Sequence, residues 1–372
     1  MAPVVLLTLL GGCSLLVEPP RLVACEENQP DRCEGNDRVR CEQGWERRIP
    51  CGSGGCHDGQ CVSDGGADLA PDTVPDSTSD SGDSGVDTLP SSRCTPWPTG
   101  FGLSTPVPVT ELNSDTTEQS FSLMPDGRTA YFSSARGGGV GASDVYVATR
   151  TTPTGPFQTV SAYKSINTAD EESQLSLSAD GLVAMLATTR PGGAGLSDIW
   201  IATRASTAQP FTSATFFPAA LINTDQNEWD PFLSPDGLTL YYQTTGDPKG
   251  MGGAELLVSQ RPNVQSPFKQ GTLLDAVNSS DDDGNPAVSA DGLVLVFAST
   301  RSGGPGKSDI YYATRASATD GFNNPQLLPN VNTADAERDP FLTPDGCTLY
   351  FVSDRPGGKG KLDIYRAELE SP

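Results

Sequence analysis

The chain is poor in the residues that carry most proton-transfer chemistry and in the charges that nucleic acids require. It holds one histidine, His57, in 372 residues. His57 lies outside the repeated region described below, so no Ser-His-Asp or Cys-His arrangement can assemble there. Lysine and arginine number 24 against 47 aspartates and glutamates, a formal net charge of −23. Such a surface repels nucleic acid and anionic headgroups, and favours cations and basic protein surfaces as partners. Beyond the first ten residues no apolar run is long enough to cross a bilayer as a helix. Helical periodicity is also missing. The apolar residues come in short runs bounded by Gly, Pro, Asp and Asn, which excludes a helical bundle and points to short strands.

Those short runs repeat. Asn113, Asn167, Asn223, Asn278 and Asn332 are spaced 54, 56, 55 and 54 residues apart. Each is followed 14 residues later by the glycine of an Asp-Gly pair: Gly127, Gly181, Gly237, Gly292, Gly346. A fixed internal pattern at this period marks an array of one supersecondary unit. Each unit reads as four strands. The first ends in Pro/Ala-Asp-Gly, a tight hairpin in which Pro presets φ, Asp bonds its own backbone and Gly takes positive φ. The second is apolar and aromatic, as in Leu349-Tyr350-Phe351, and a Gly-rich loop follows it. The third is typified by Asp363-Ile364-Tyr365, and the fourth opens on Phe157, Phe211, Phe268 or Phe322. Four antiparallel strands per repeat describe a β-propeller blade. The fifth unit lacks a fourth strand, and residues 101–112 read as an orphan fourth strand. Pairing the two closes a ring of five blades and removes its edges.

The sets Pro344-Asp345-Gly346, Ser353-Asp354-Arg355 and Asp363-Ile364-Tyr365, with their counterparts in the other units, resemble the WD40-like repeat called PD40 of TolB-type propellers. The resemblance covers about residues 100–372. It implies the all-β fold and is nearly silent on activity, because propellers host binders, scaffolds and enzymes alike. The expected domains are a signal peptide (1–12), an anchor-proximal segment (13–24), a six-cysteine module (25–61), a disordered acidic linker (62–93) and the propeller (94–372). Its repeats lie near 113–166, 167–222, 223–277, 278–331 and 332–372.

Leu10-Gly11-Gly12-Cys13 looks like a lipobox, with Cys13 the lipidated residue. An ordinary cleaved secretory signal is the competing reading. Either implies export, and lipidation implies an outer-membrane lipoprotein whose only membrane contact is its lipid anchor. Cys25, Cys33, Cys41, Cys51, Cys56 and Cys61 sit in a segment too poor in aliphatic residues to bury a core, so they are expected to pair among themselves as three disulfides. Their spacings of seven, seven, nine, four and four residues do not suit zinc. Seven aspartates amid Ser, Gly and Thr in 62–93 cannot offset ordering entropy by burial, so this stretch reads as a stalk. Two cysteines remain, Cys94 and Cys347. Both fall on one face of the closing blade and are expected to bond.

Candidate site residues follow from the repeat. Five residues after each anchor Asn stands an acid: Glu118, Glu172, Glu228, Asp283, Glu337. Two further on come Ser120, Gln174, Asp230, Asn285 and Asp339. Read as alternating strand positions, these would form a polar ring at the mouth of the channel. Arg136, Arg190, Arg301 and Arg355 recur with Asp144, Asp198, Asp309 and Asp363. They are expected to be structural, each Arg pairing either with the Asp of its own hairpin or with the ring acid. Unit three departs from the pattern: its Arg is missing, Lys249 could replace it, and Trp229 stands beside Glu228 and Asp230. Trp229 reads as an exposed binding platform or as a wedge between blades. Asp281-Asp282-Asp283 in unit four forms a loose acidic cluster.

The function expected is a monomeric, non-enzymatic binding or scaffold propeller that engages an envelope or extracellular protein or glycan, without a cofactor. The contact surface is the face carrying the Gly-rich loops, centred on unit three. One alternative is a five-bladed glycoside hydrolase or lyase using Glu228, Asp230 and Asp339 as paired carboxylates. Another is a propeller stabilised by calcium in its channel.

Overall fold

The computed structural model describes residue 94, residues 102–217, 222–247, 250 and 252–370, and the backbone of five short strands between residues 32 and 61. The chain divides into two compact units, 1–87 and 88–372. In the first, β1 (Arg32–Glu34), β2 (Asp37–Glu42) and β3 (Trp45–Pro50) form an antiparallel sheet. In the hairpin of β4 (Cys56–His57) and β5 (Gln60–Cys61), Cys56 and Cys61 are register partners. The Cys13 lipidation, the stalk, the pairing of the six cysteines, whose side chains include those of Cys25 and Cys51, and Lys249 all lie outside the described residues.

The second unit is a five-bladed β-propeller. Blade one is β8 (Glu118–Leu123), β9 (Thr129–Ser134), β10 (Asp144–Thr149) and β11 (Thr159–Ala162). Blade two is β12 (Glu172–Leu177), β13 (Val183–Thr188), β14 (Asp198–Thr203) and β15 (Thr215–Phe216). Blade three is β16 (Glu228–Leu233), β17 (Thr239–Thr245), β18 (Ala254–Gln260) and β19 (Thr272–Leu273). Blade four is β20 (Asp283–Val288), β21 (Val294–Ser299), β22 (Asp309–Thr314) and β23 (Asn323–Leu327). Blade five is β24 (Glu337–Leu342), β25 (Thr348–Ser353) and β26 (Asp363–Glu370). Its outer strand comes from the start of the unit: β6 (Gly102–Leu103) and β7 (Val107–Pro108) both pair β26 antiparallel, with Leu103 opposite Leu369 and Pro108 opposite Tyr365. The orphan strand closes the ring, and the Cys94–Cys347 disulfide joins the same blade across 253 residues of sequence.

The apolar runs of the second and third strands supply the core. It falls into five clusters, each shared by two neighbouring blades; Phe121 and Phe132 of blade one, for example, pack with Tyr350 and Val352 of blade five. Burying side chains of this size contributes about 2 kcal/mol each.

The anchor asparagines explain their own recurrence. Each side-chain amide pairs like a peptide group with the third strand of the blade it leaves. Asn167 accepts from Val145 N–H (3.0 Å) and donates to Val145 C=O (2.9 Å). Asn113 does the same across the closure, accepting from Ile364 N–H at 2.8 Å and donating to its C=O at 3.0 Å. The Gly-rich loops cross to the next blade. A Cβ on Gly141 would stand 1.9 Å from the Asp170 carbonyl, so only glycine permits the approach.

Candidate functional site

Of the carboxylates expected at the channel mouth, Asp230 and Asp339 line the axis, and the five acids that follow the anchor Asn by five residues are elsewhere. Glu118, Glu172, Glu228, Asp283 and Glu337 are fully buried inside their own blades. Each is tied to the residue after the anchor Asn: Glu172 accepts from Thr168 N–H (2.6 Å) and from its hydroxyl (2.5 Å). In four blades it also meets the recurrent arginine. Arg136 lies 2.9 Å from Glu118, Arg190 3.0 Å from Glu172, Arg301 2.5 Å from Asp283 and Arg355 3.0 Å from Glu337. The arginines pair with these acids and not with Asp144, Asp198, Asp309 or Asp363. Those aspartates accept backbone N–H groups of the Gly-rich loops instead, as Asp144 does from Val140 and Gly141.

Each guanidinium therefore sits in a built cradle. For Arg190 the walls are the Glu172 carboxylate, the Ile166 carbonyl at 2.7 Å, the Thr188 hydroxyl at 3.2 Å and the Trp200 ring, whose centroid is 5.1 Å away. Arg301 and Arg355 have the same set from Val277, Ser299, Phe297 and Tyr311, and from Val331, Ser353, Phe351 and Tyr365. Carboxylate, carbonyl, hydroxyl and aromatic face together meet the needs of a guanidinium.

Blade three keeps this cradle and lacks its arginine. The equivalent position is Gly246, at φ +76°, where a Cβ would meet Gln226 Oε1 at 2.6 Å; the loop takes a path that excludes the side chain. The third-strand aromatic becomes Leu257. A cavity of about 790 Å³ opens there, lined by the counterparts of every cradle residue: Ile222, Glu228, Tyr242, Thr244 and Leu257. Asp225, Asp247 and Asp275 add negative charge around it. Among the described residues no cation reaches Glu228. Its carboxylate accepts from Thr224 N–H (2.9 Å), Thr224 Oγ1 (2.6 Å) and Thr244 Oγ1 (3.2 Å). Burial pushes its carboxyl above the ordinary range, those hydrogen bonds pull it back, and the charge of Asp198 pushes it further up. Burial likewise raises Tyr242, with Glu228 and Asp247 adding to the effect.

The channel itself is lined by the residues two positions on. Ser120, Gln174, Asp230, Asn285 and Asp339 all take left-handed backbone angles, φ between 46° and 52°. A bulge at this point in every first strand breaks the two-residue alternation. That bulge sends the glutamate inward to its blade and the next-but-one residue to the axis, so the two sets do not form one ring. Trp229 is half-buried and lines a groove of about 260 Å³ between blades three and four, with Gln243, Asp282 and Arg338. The acidic run of unit four is dispersed: Asp282 accepts from Ala254 N–H, and Asp283 is buried against Arg301.

A second arginine series escaped the sequence reading. Arg150, Arg204, Arg261 and Arg315 stack on Phe157, Phe211, Phe268 and Phe322 at 4.2–4.5 Å and donate to the hairpin glycine carbonyls. Its signal was a nearly constant distance from each anchor Asn, 37 residues in units one, two and four and 38 in unit three, which carries the inserted residue. Leu369 occupies that place in blade five, and there the disulfide to Cys347, beside the Gly346 turn, holds the hairpin.

No family model and no curated protein sequence matches the chain. Solved structures with a similar fold include TolB from Acinetobacter baumannii (18% identity, TM-score 0.41, 69% of this chain and 55% of that one). Another is an endo-arabinase from Bacteroides thetaiotaomicron VPI-5482 (13%, TM-score 0.48, 72% and 98%). A third is a protein of unknown function from Dyadobacter fermentans DSM 18053 (10%, TM-score 0.46, 74% and 100%). The chain thus spans about 55% of the TolB it resembles.

Proposed function

We propose that this chain is a non-enzymatic binding propeller, displayed on the bacterial envelope through Cys13, that captures a partner protein by an arginine side chain seated in blade three. One observation carries the reading. Four blades enclose a guanidinium in the same set of groups, and the third retains the set around an open, acidic cavity. A guanidinium entering it would find the Glu228 carboxylate, the Ile222 carbonyl, the Thr244 hydroxyl and the second-strand Tyr242 ring, the counterparts of the Asp283, Val277, Ser299 and Phe297 groups around Arg301, with Leu257 in place of the third-strand ring. The cavity lies beside the Gly-rich loop and anchor-Asn segment of unit three, on the face a partner would approach. The chain's net charge of −23 favours a basic partner surface.

A hydrolase is the second reading, and it draws on Asp230 and Asp339 as a carboxylate pair. They line an axial cavity of only about 50 Å³, too small for a sugar ring, and Glu228 is buried away from them in its own blade. Peptide display against the full chain tests the proposal. Selected sequences should be rich in arginine and should lose binding to Glu228→Gln, and a polysaccharide panel should release no product. Selection without arginine enrichment, or equal binding to the variant, would reject it.

A further inference from the structure

The axis of the propeller carries a separate feature that the partner-binding reading leaves unused. Five side chains, one per blade, converge on the cavity of about 50 Å³: Ser120, Gln174, Asp230, Asn285 and Asp339. All five are held in the left-handed region, which costs about 1 kcal/mol or more at each non-glycine residue. The fold sustains that cost at the same point in every blade, and in each case the result is a polar group aimed at the axis.

The hydrogen bonds around the cavity leave specific oxygens over. Asp339 is satisfied: Oδ2 accepts from Ser120 N–H at 3.0 Å and Oδ1 from the Asn285 amide at 2.5 Å. Asp230 is half satisfied, with Oδ2 accepting from Asn285 N–H at 3.2 Å. Its Oδ1 is buried without a donor, although Asp230 is only 7% exposed. The Ser120 hydroxyl, in a residue also 7% exposed, is buried without a partner too. A buried carboxylate oxygen with nothing opposite it is costly. Two carboxylates at one axis increase that cost, and the arginine whose charge acts on both, Arg338, is exposed on β24.

We propose that this axial cavity binds one hard divalent cation, held by Asp230 and Asp339 with the oxygens of Ser120, Asn285 and Gln174 around it. Every available donor is oxygen, and His, Cys and Met are absent from the lining, which favours calcium or magnesium over zinc or copper. The volume admits an ion with one or two waters. An ion here would bridge all five blades, so its binding energy would appear as ring stability. The competing occupant is a proton shared by the pair. Burial and the neighbouring Asp339 charge push the Asp230 carboxyl up to about 8, and burial raises Asp339 as well, while Arg338 pulls both down.

The test uses the full chain, stripped with EDTA and titrated with calcium chloride, with melting temperature and heat of binding read at about pH 8. The wild type should melt at least ~5 °C higher with saturating calcium at pH 8. Its midpoint should lie near ~0.1–1 mM. Asp230→Asn should fold and lose the calcium response while keeping any response that arises in the aspartate-rich stretch 62–93. Asp339→Asn serves the same purpose if Asp230→Asn does not fold. No shift with either calcium or magnesium, or an equal shift in both variants, overturns the proposal and leaves the shared proton as the occupant.

Discussion

Glu172 and Glu228 occupy the same place in neighbouring blades and differ in what faces them. Glu172 is buried against Arg190; Glu228 is equally buried, with no cation reaching it among the described residues. Removing one partner of a buried ion pair strands the other, at a cost of about 3–5 kcal/mol. Glu172→Gln should therefore lose about 3 kcal/mol or more in urea denaturation at neutral pH. Glu228→Gln removes a charge that hydrogen bonds hold and no cation among the described residues pairs, and should fall within about 1 kcal/mol of the wild type. The pH dependence has a fixed sign. The folded Glu228 carboxyl is raised, so it holds its proton more tightly than the unfolded one. Its contribution is full below the unfolded carboxylate range and is lost as pH rises through the folded value. Glu228→Gln, which has no such loss, should gain on the wild type as pH rises from the unfolded carboxylate range through the raised folded one. Urea midpoints at three pH values check both statements, and equal losses for the two variants would contradict them.

At the scale of the blade, the same hairpin is secured in two ways. In blades one to four an arginine stacked on the fourth-strand phenylalanine holds the turn between the first two strands. In blade five that arginine is Leu369, and Cys94–Cys347 holds the turn and ties in the closing strand. The double variant Cys94→Ser/Cys347→Ser should lose up to about 5 kcal/mol by the loop-entropy argument. Its amide exchange should accelerate first in β6, β7 and β26, where the two ends of the ring meet. Uniform acceleration across all five blades would contradict that. This level was the most legible in the sequence. The anchor asparagines, the Asp-Gly turns and the apolar second strands are local signals repeated five times, and the leftover cysteines and orphan strand fall on one blade. The bulge was not legible, because Asp230-Pro231 and Asn285-Pro286 do not by themselves announce a left-handed residue. Assuming simple alternation there merged the buried acids with the axial ones into a single ring.

For the propeller as a whole, one cradle among the described residues is open beside four filled ones. The missing arginine of unit three was visible in the sequence. That its carboxylate, carbonyl and hydroxyl partners all survive around a cavity was not, since it depends on how the loop through Gly246 runs. Charge should govern the approach of a basic partner. Raising sodium chloride from about 50 to about 500 mM should slow association roughly tenfold and change dissociation little, measured by surface binding kinetics. A salt effect confined to dissociation would place the charges inside the contact.

The most direct measurement is calorimetric titration of the full chain with Nα-acetyl-arginine amide at neutral pH. One site with a dissociation constant of about 1 mM or tighter should be found. It should be weaker for the lysine analogue and absent in Glu228→Gln. No saturable heat, or binding that Glu228→Gln leaves unchanged, would contradict the claim that blade three is an arginine receptor.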